Sequence, residues 1–353
     1  MIEEVYKGIW RIGVPLPGNP LKELNSYFLP GDERDLLIDT GFNKEECREA
    51  LEQGLSELGA RRERLDVYLT HFHSDHSGLA AAMAGPEGRI YMSDIDYRYM
   101  QHSANMKNFR DRNERFMHEG FPLEELKLTD RFNPAYRLAA GRPDERFVPL
   151  MCSNDPECGE CSDEHEAAGS TGKATLTVGD FHLQMILCPG HTPGNTMLWE
   201  AEHGIMFTGD HILFDITPNI TSWTGMGDSL GSYLENLEKA KCFDVKLALP
   251  GHRKSGDYQK RIDELLDHHA LRLSEILDIL AVEPGSTAYE ITSRMRWKIR
   301  ANSWVDFPAA QKWFAVGECL SHLDHLVLRG RVSVEETKEA RYYYKKQKYK
   351  RVC

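Results

Sequence analysis

The chain has 353 residues, of which 41% are hydrophobic and 28% charged, and its formal net charge is -12. This composition excludes a largely disordered chain, and the acidic balance argues against indiscriminate nucleic-acid binding over the whole surface, although it leaves room for a local basic patch. A chain of this length is expected to form one large domain and one smaller domain.

The start of the chain and its cysteines bear on the compartment. No basic segment followed by an apolar run opens the sequence, and no stretch of about eighteen consecutive apolar residues occurs, so we predict neither an export signal nor a membrane span. The eight cysteines are then expected to be reduced thiols or metal ligands in the cytoplasm.

The first ninety-odd residues alternate between predicted strands and helices. Strands are predicted at GIWRIGVPL, LNSYFLP and DLLIDTG, the last two joined by the polar turn GDERD. The segment KEECREALEQGLSEL has helical spacing, with Asn43 as its expected cap and Gly59 as its end. The strand LDVYLT then runs directly into the polar loop HFHSDHSG. Loops at strand ends are where α/β enzymes place their chemistry.

The alternation breaks and then returns. After the short helix GLAAAMA and the strand RIYMS, residues from about 95 to 172 lose the pattern and are interpreted as an insertion. A hairpin around Gly179 and Asp180 follows in TLTVGDFHLQMILCP. Next come the strands NTMLWEA and GIMFTGD, the helix SYLENLEKAKC and the strand VKLALPG. We therefore predict an α/β domain over residues 1–262.

The C-terminal part is predicted to be a separate, mostly helical domain over residues 263–345. A long amphipathic helix begins near residue 257 and ends at Pro284-Gly285. Two shorter helices and the hairpin-like stretch RVSVEETKEARYYYK follow, which is the element order of a winged helix. Residues 346–353 form a basic tail.

Seven side chains have the chemistry of a paired metal site. His71 and His73 share one face of an extended backbone and can bind one ion together. Two and three residues later, Asp75 and His76 can reach a neighbouring ion about four ångströms away. Further candidate ligands stand beside glycines in short loops at predicted strand ends: His191, Asp210 and His252. Five imidazoles and two carboxylates suit two zinc ions, with iron or manganese as alternatives.

The motifs T-H-F-H-S-D-H-S-G, P-G-H-T-P-G-N, T-G-D-H and P-G-H, in this order, resemble those of the metallo-β-lactamase superfamily. The resemblance covers roughly residues 5 to 260 without the insertion and implies a four-layer αβ/βα sandwich. It also implies a first ion at His71, His73 and His191, and a second at Asp75, His76 and His252. Asp210 would then bridge the two ions.

The same resemblance bears on two further positions. Asp39 in LLIDTG is similar to an early aspartate of the superfamily that orients a ligand loop. The oxygen-reducing diiron branch has an acidic residue in place of the second histidine, so His73 favours hydrolysis.

The activity implied by the resemblance is hydrolysis by a metal-bridging hydroxide, with Asp75 and Asp210 as catalytic residues. A small ester, thioester or lactone is the favoured substrate. The alternative is a metal-dependent nuclease that holds nucleic acid on its winged helix. A third hypothesis is a nucleic-acid-binding or regulatory protein with a vestigial metal centre. His211 and Arg253, which follow ligands, and Trp223 are candidates for substrate contact, with structural hydrogen bonds or an ordinary connecting loop as the alternatives.

Two regions outside the metal motifs carry further predictions. The spacing of the cysteines in the insertion, with one histidine, is typical of a structural zinc site, with free thiols or an iron–sulfur cluster as alternatives: Cys152, Cys158, Cys161 and His165. The C-terminal region resembles the small winged-helix domain of one branch of these hydrolases. Packing beside the active site or in a homodimer is favoured for it over nucleic-acid binding, and no membrane partner is expected.

Overall fold

The computed structural model describes residues 1–103, 113–132, 144–151, 174–298 and 303–346. The chain divides into two compact units. The first consists of Met1–Ala104, Pro134–Pro218 and Lys241–Arg261, and the second of Asn105–Asn133, Asn219–Ala240 and Ile262–Cys353. The domain limits drawn from the sequence stay a prediction.

The first unit contains a seven-stranded sheet whose strands lie in chain order. The first four strands pair antiparallel and the last four pair parallel, so the carboxyl ends of the parallel strands meet at one edge. The strands are β1 Ile2–Tyr6, β2 Ile9–Pro15, β3 Glu23–Leu29, β4 Asp35–Ile38, β5 Leu65–Tyr68, β6 Ile90–Ser93 and β7 Phe147–Leu150. Strand β7 lies inside the stretch interpreted as an insertion, where no strand is predicted from the sequence.

Both faces of this sheet are buried, because successive side chains along each strand point to opposite faces and pack into different core clusters. In β4, Leu37 faces one core cluster while Leu36 and Ile38 face another. The first cluster contains Leu51 and other apolar residues of helix α1 (Glu45–Glu57), which therefore covers one face of the sheet. Each such fully buried leucine contributes about 1.5–3 kcal/mol to folding.

The second core cluster joins the seven-stranded sheet to a five-stranded one. Leu198 and Phe207 of the five-stranded sheet pack with residues of β3 to β6, so the two sheets lie face to face. The five strands, in spatial order, are β12 Leu247–Pro250, β11 Ile205–Gly209, β10 Thr196–Glu200, β9 Phe181–Leu187 and β8 Thr175–Val178. The first unit thus contains a helix packed on one sheet and a second sheet packed on the other face, which confirms the predicted α/β fold class.

The start of helix α1 corrects one prediction. Lys44, in an extended conformation, occupies the cap position, and no side chain caps the helix. Asn43 therefore stands one residue too early to do so. Glu45 and Glu46 in the first turn interact favourably with the positive end of the helix dipole instead. The predicted end is confirmed, because Gly59 adopts a φ of 69° directly after the helix.

Three shorter helices complete the described part of the first unit, namely α2 Ser74–Ser77, α3 Ala80–Met83 and α4 Asp94–Ser103. The polar loop HFHSDHSG thus contains one short helical turn. A 3-10 turn at Arg62–Arg64 precedes β5.

The second unit is mostly helical. Its elements are helix α5 Leu123–Phe132, helix α6 Ser229–Ala240, most of helix α7 Tyr258–Val282, helix α8 Ala288–Arg294, helix α9 Ala309–Leu328 and the antiparallel strands β13 Val332–Glu336 and β14 Arg341–Lys345. Residues 113–118 are also helical. The predicted C-terminal helices and hairpin are confirmed, while their assignment to a winged helix stays a prediction. Within the described ranges, every helix is too short or too polar to cross a membrane.

Candidate metal centre

The seven predicted ligands all belong to the first unit, and most follow the carboxyl ends of parallel strands. His71 and His73 come after β5, Asp210 after β11 and His252 after β12. His191 lies in the loop between β9 and β10. The carboxyl ends of parallel strands meet at one edge of their sheet, and here the loops at such edges of both sheets bring residues distant in the chain together.

Three imidazoles form the first group. The Nδ1 atom of His73 lies 3.1 Å from Nε2 of His71 and 3.0 Å from Nε2 of His191. The ligand atoms of all three residues lie within 4.8 Å of one another. Zinc–nitrogen bonds of about 2.0–2.1 Å in a tetrahedron would separate neighbouring nitrogens by roughly 3.3 Å, so this spacing suits one metal ion.

A carboxylate and two imidazoles form the second group. Nε2 of His76 lies 3.2 Å from Nε2 of His252, which in turn lies 3.5 Å from Oδ2 of Asp75. These three ligand atoms also fall within 4.8 Å of one another. The group therefore offers a second ion one oxygen and two nitrogens.

Asp210 reaches both groups. Its Oδ2 lies 3.8 Å from Nε2 of His191 and 3.6 Å from Nε2 of His252, and its Oδ1 lies 3.5 Å from Nε2 of His76. Oδ1 is buried and has no hydrogen-bond partner in the described part of the chain. A buried carboxylate oxygen without a donor is costly, and a cation would satisfy it. The unsatisfied Oδ1 of Asp210 is therefore the feature of the site that best fits a bound metal ion.

The far sides of three rings are held by oxygen acceptors. Nδ1 of His76 lies 2.7 Å from Oδ2 of Asp39, and Nδ1 of His252 lies 2.9 Å from the backbone oxygen of Glu23. Nδ1 of His71 lies 3.0 Å from Oγ1 of Thr70. An imidazole that donates its Nδ1–H outward directs the lone pair of Nε2 inward, as metal ligands require.

Asp39 organises this outer layer. Its Oδ2 also accepts the hydroxyl hydrogen of Thr70 at 2.8 Å, and its Oδ1 accepts the backbone N–H of Thr70 at 2.9 Å. Asp39 is 2% exposed and has a φ of 59°, a left-handed conformation that is uncommon for residues other than glycine. The orienting role implied by the family resemblance thus has a geometric basis.

Burial and charge give the two groups different protonation. Burial and neighbouring imidazoles lower the pKa of His71 well below its ordinary value and that of His73 to about 3, so both rings are neutral at pH 7. Burial acts in the same direction on His76, but the carboxylates of Asp39 and Asp210 outweigh it and raise the pKa of His76. A cation bound beside these carboxylates would replace that proton.

One site residue was missed by the sequence analysis. Asp96, in the first turn of α4, is completely buried and accepts hydrogen bonds from the backbone N–H of Phe72 and Gly194. Burial raises the pKa of this carboxyl to about 7, although its hydrogen-bond donors oppose the shift. The available signal was an acidic residue three positions after the end of β6, the strand next to β5.

The other predicted site residues differ in their surroundings. His211 is completely buried, and Arg253 is half-buried with its guanidinium donating to the backbone oxygen of Pro20 at 2.9 Å. Trp223 belongs to the second unit and is half-buried. Substrate contact by these three residues stays a prediction. The predicted structural zinc ligands lie outside the described residues: Cys152, Cys158, Cys161 and His165.

Comparison with known proteins identifies the family of this chain. Residues 22–141 and 160–252, more than half of the chain, match the Metallo-beta-lactamase superfamily. The chain belongs to this superfamily. It is a hydrolase, and the superfamily uses divalent metals.

Relatives and solved structures extend the likeness to most of the chain. A probable metallo-hydrolase of Bacillus subtilis, YqjP, is 24% identical over 315 residues, which cover 85% of this chain and 86% of the relative. The human acyl-coenzyme A thioesterase MBLAC2 is 24% identical over 235 residues, 65% of this chain and 72% of its own. The crystal structure of a metallo-beta-lactamase family protein from Thermus thermophilus, TTHA1429, has a TM-score of 0.75 and 25% identity, covering 97% of this chain and 100% of that one.

Proposed function

We propose that the chain is a dinuclear hydrolase that binds two divalent ions, with zinc favoured over iron or manganese. His71, His73 and His191 would hold the first ion, and Asp75, His76 and His252 the second. The position of Asp210 supports this proposal most strongly, because its two oxygens lie within 3.8 Å of ligand atoms in both groups. The nitrogen-rich donor set favours zinc, for which imidazole is a preferred ligand.

The chain's own residues prepare the reaction. The ions, when bound, would lower the pKa of a water molecule and polarise the oxygen of the bond to be cleaved. Burial opposes ionisation of Asp75, but a hydrogen bond with His252 and the charges of His76 and His252 lower the pKa of Asp75 to about 2. This side chain is therefore a carboxylate at neutral pH and can accept a hydrogen bond from a water molecule and orient it.

The proposed substrate is a small ester, thioester or lactone. Support comes from the relatives, since one is named an acyl-coenzyme A thioesterase and another a probable metallo-hydrolase. In all three substrates the carbonyl carbon is attacked, and the leaving oxygen or sulfur gains negative charge that a cation stabilises.

The test is hydrolysis by the purified full chain of aryl esters, acyl-coenzyme A thioesters, lactones and labelled RNA, with and without a chelator. We expect chelator-sensitive cleavage of at least one carbonyl substrate. The Asp210→Ala variant should lose at least 100-fold in kcat/KM, because removing an electrostatic element of the reaction centre costs about 10²–10³. His182→Ala, which alters an exposed histidine, is the matched control and should keep full activity.

Two results would overturn this proposal. Cleavage of RNA alone would favour the nuclease alternative, and full activity after metal removal would exclude metal catalysis. Elemental analysis adds a count: close to two zinc ions per chain would agree with the paired site alone, and close to three would add the predicted site at Cys152, Cys158, Cys161 and His165.

A further inference from the structure

The two loops that carry the first group of ligands come from different sheets. The loop with His71 and His73 follows β5 of the seven-stranded sheet, whereas the loop with His191 joins β9 to β10 of the five-stranded sheet. Their ligand atoms nevertheless approach to 3.0 Å between His73 and His191. Some contact must hold the loops at this separation, because neither sheet's hydrogen-bond ladder includes both.

The carboxylate of Asp96 makes such a contact. Oδ2 accepts the backbone N–H of Phe72, between His71 and His73, at 3.1 Å. The same oxygen accepts the hydroxyl hydrogen of Thr192 at 2.7 Å, and Oδ1 accepts the backbone N–H of Gly194 at 2.6 Å. One fully buried carboxylate therefore binds both ligand loops, and each of its oxygens is used.

The surrounding residues fit this contact closely. The hydroxyl of Ser93 donates to the backbone oxygen of Gly194 at 2.6 Å and accepts the N–H of Asp96 at 3.1 Å. A Cβ atom at position 194 would lie 2.3 Å from Oγ of Ser93 and 2.5 Å from the backbone nitrogen of Asp96. Glycine is thus required for the loop to approach this carboxylate.

We propose that Asp96 is a positioning residue that fixes His73 and His191 at the separation needed for the first ion. Within the described ranges, Asp96 makes no hydrogen bond to any of the seven ligand side chains. It acts on them through the backbone of the two loops that carry them. The inference rests on the proposed function, since it concerns a site for a metal ion. It assigns Asp96 to the first ion and not to the second.

Asp96→Asn is the informative variant because it keeps the shape of the side chain. An asparagine has one acceptor oxygen and one NH₂ group, so at least one of the present donors would face another donor. The loops should then separate slightly. Loss of partners that orient metal ligands typically weakens metal affinity by about 10–100-fold.

The first experiment measures zinc binding by the full chain in competition with a chromophoric chelator. We expect Asp96→Asn to bind one zinc ion about 10–100-fold more weakly than wild type and the other within about threefold. Anomalous scattering from crystals with limiting zinc should show reduced occupancy beside His73 and His191, and full occupancy beside His76 and His252. The matched control is Asp35→Asn, a 2% exposed carboxylate that instead accepts hydrogen bonds from Gly31 and Arg61.

A second measurement needs no metal. In the metal-free protein, the backbone amides of Phe72 and Gly194 should exchange with solvent about tenfold faster in Asp96→Asn than in Asp35→Asn. If Asp96→Asn does not fold, Thr192→Val offers a milder change, because it removes a single donor to the same carboxylate. Thr192→Val should weaken binding of the first ion by a smaller factor.

The outcomes separate the two proposals. The positioning role would be overturned if Asp96→Asn bound both zinc ions with wild-type affinity, or if its affinity for both ions fell equally. Either result would leave the proposed function intact. A wild-type protein that binds none of zinc, iron and manganese would overturn the proposed function, and this inference with it.

Discussion

At the scale of single residues, the candidate metal centre is flanked by a carboxylate that is not itself a predicted ligand, that of Asp39. Asp39 accepts hydrogen bonds from Thr70 and His76 with the same oxygen, and its φ of 59° fixes where that oxygen lies. Asparagine tolerates this left-handed conformation, so Asp39→Asn changes the chemistry and spares the backbone. The effect of losing the negative charge can therefore be measured without a change in backbone strain.

We expect Asp39→Asn to weaken zinc binding by about 10–100-fold. The reason is that a neutral amide orients the ring of His76 less strongly than the carboxylate does. Zinc competition measures the effect, and circular dichroism checks folding. Asp66→Asn is the matched control, since Asp66 is also buried but accepts hydrogen bonds from Arg34 and Arg89. An Asp39→Asn protein with affinity within twofold of wild type would show that this carboxylate does not orient His76.

A glycine beside the ligands gives a second residue-scale prediction. A Cβ atom at Gly251 would lie 2.6 Å from Oδ1 of Asp210 and 2.9 Å from Cε1 of His76. Gly251→Ala must displace one of these side chains, so zinc affinity should fall at least tenfold and stability by about 1–3 kcal/mol. Gly59→Ala is the control: its φ of 69° costs about 1–2 kcal/mol, but nothing lies within 4 Å of the new atom, and zinc binding should be unchanged. Equal zinc affinity in both variants would contradict the steric argument.

At the scale of elements, the sequence predicts what is local and misses what is distant. The periodicity of LDVYLT and the motif that follows it identify a strand and a ligand loop, because both signals lie within a few residues. Asp96 could not be assigned in this way, since its partners at Phe72 and Gly194 are 24 and 98 residues away. Strand β7 was missed for the same reason, as it is recognised by its parallel pairing with β6.

Helix α8 offers a prediction at this scale. Thr287 caps it: the side chain accepts the N–H of Glu290, whose carboxylate accepts the backbone N–H of Thr287. Thr287→Ala should cost about 1 kcal/mol of stability, read from denaturant titration. Thr287→Ser keeps the hydroxyl and loses only the methyl group, so it should recover most of that loss. Equal stability of the alanine and serine variants would show that the cap contributes nothing.

At the scale of the whole molecule, buried histidines tie stability to pH. Nδ1 of His269 and Nε2 of His322 lie 3.1 Å apart, and both side chains are completely buried within the second unit. Burial, outweighing a hydrogen bond to the backbone of Glu318, lowers the pKa of His322 to about 3. Burial also lowers the pKa of His269 well below its ordinary value, and repulsion between the two rings opposes the protonation of both. Both rings therefore fold in the neutral state.

The sign of the effect follows from which state binds more protons. Below about pH 6.5 the unfolded chain protonates these two histidines, whereas the folded chain keeps His322 neutral until pH approaches 3, so the stability that His322 contributes is lost as pH falls. For His322 alone the loss should be about 3 kcal/mol between pH 7 and pH 4. Glu119 and Glu318, whose pKa burial raises, act in the opposite direction, so the comparison must be between variants and not between absolute curves.

The measurement is the free energy of unfolding as a function of pH for wild type and His322→Gln. The variant should be less stable at pH 7, because a buried hydrogen-bond network is altered, and its stability should fall less steeply between pH 6 and pH 4, by about 1 kcal/mol per pH unit. His182→Gln, at an exposed position on β9, should retain the wild-type slope. If His322→Gln keeps the wild-type slope as well, the acid sensitivity of the fold arises from other groups, and the buried pair is not held in its neutral form.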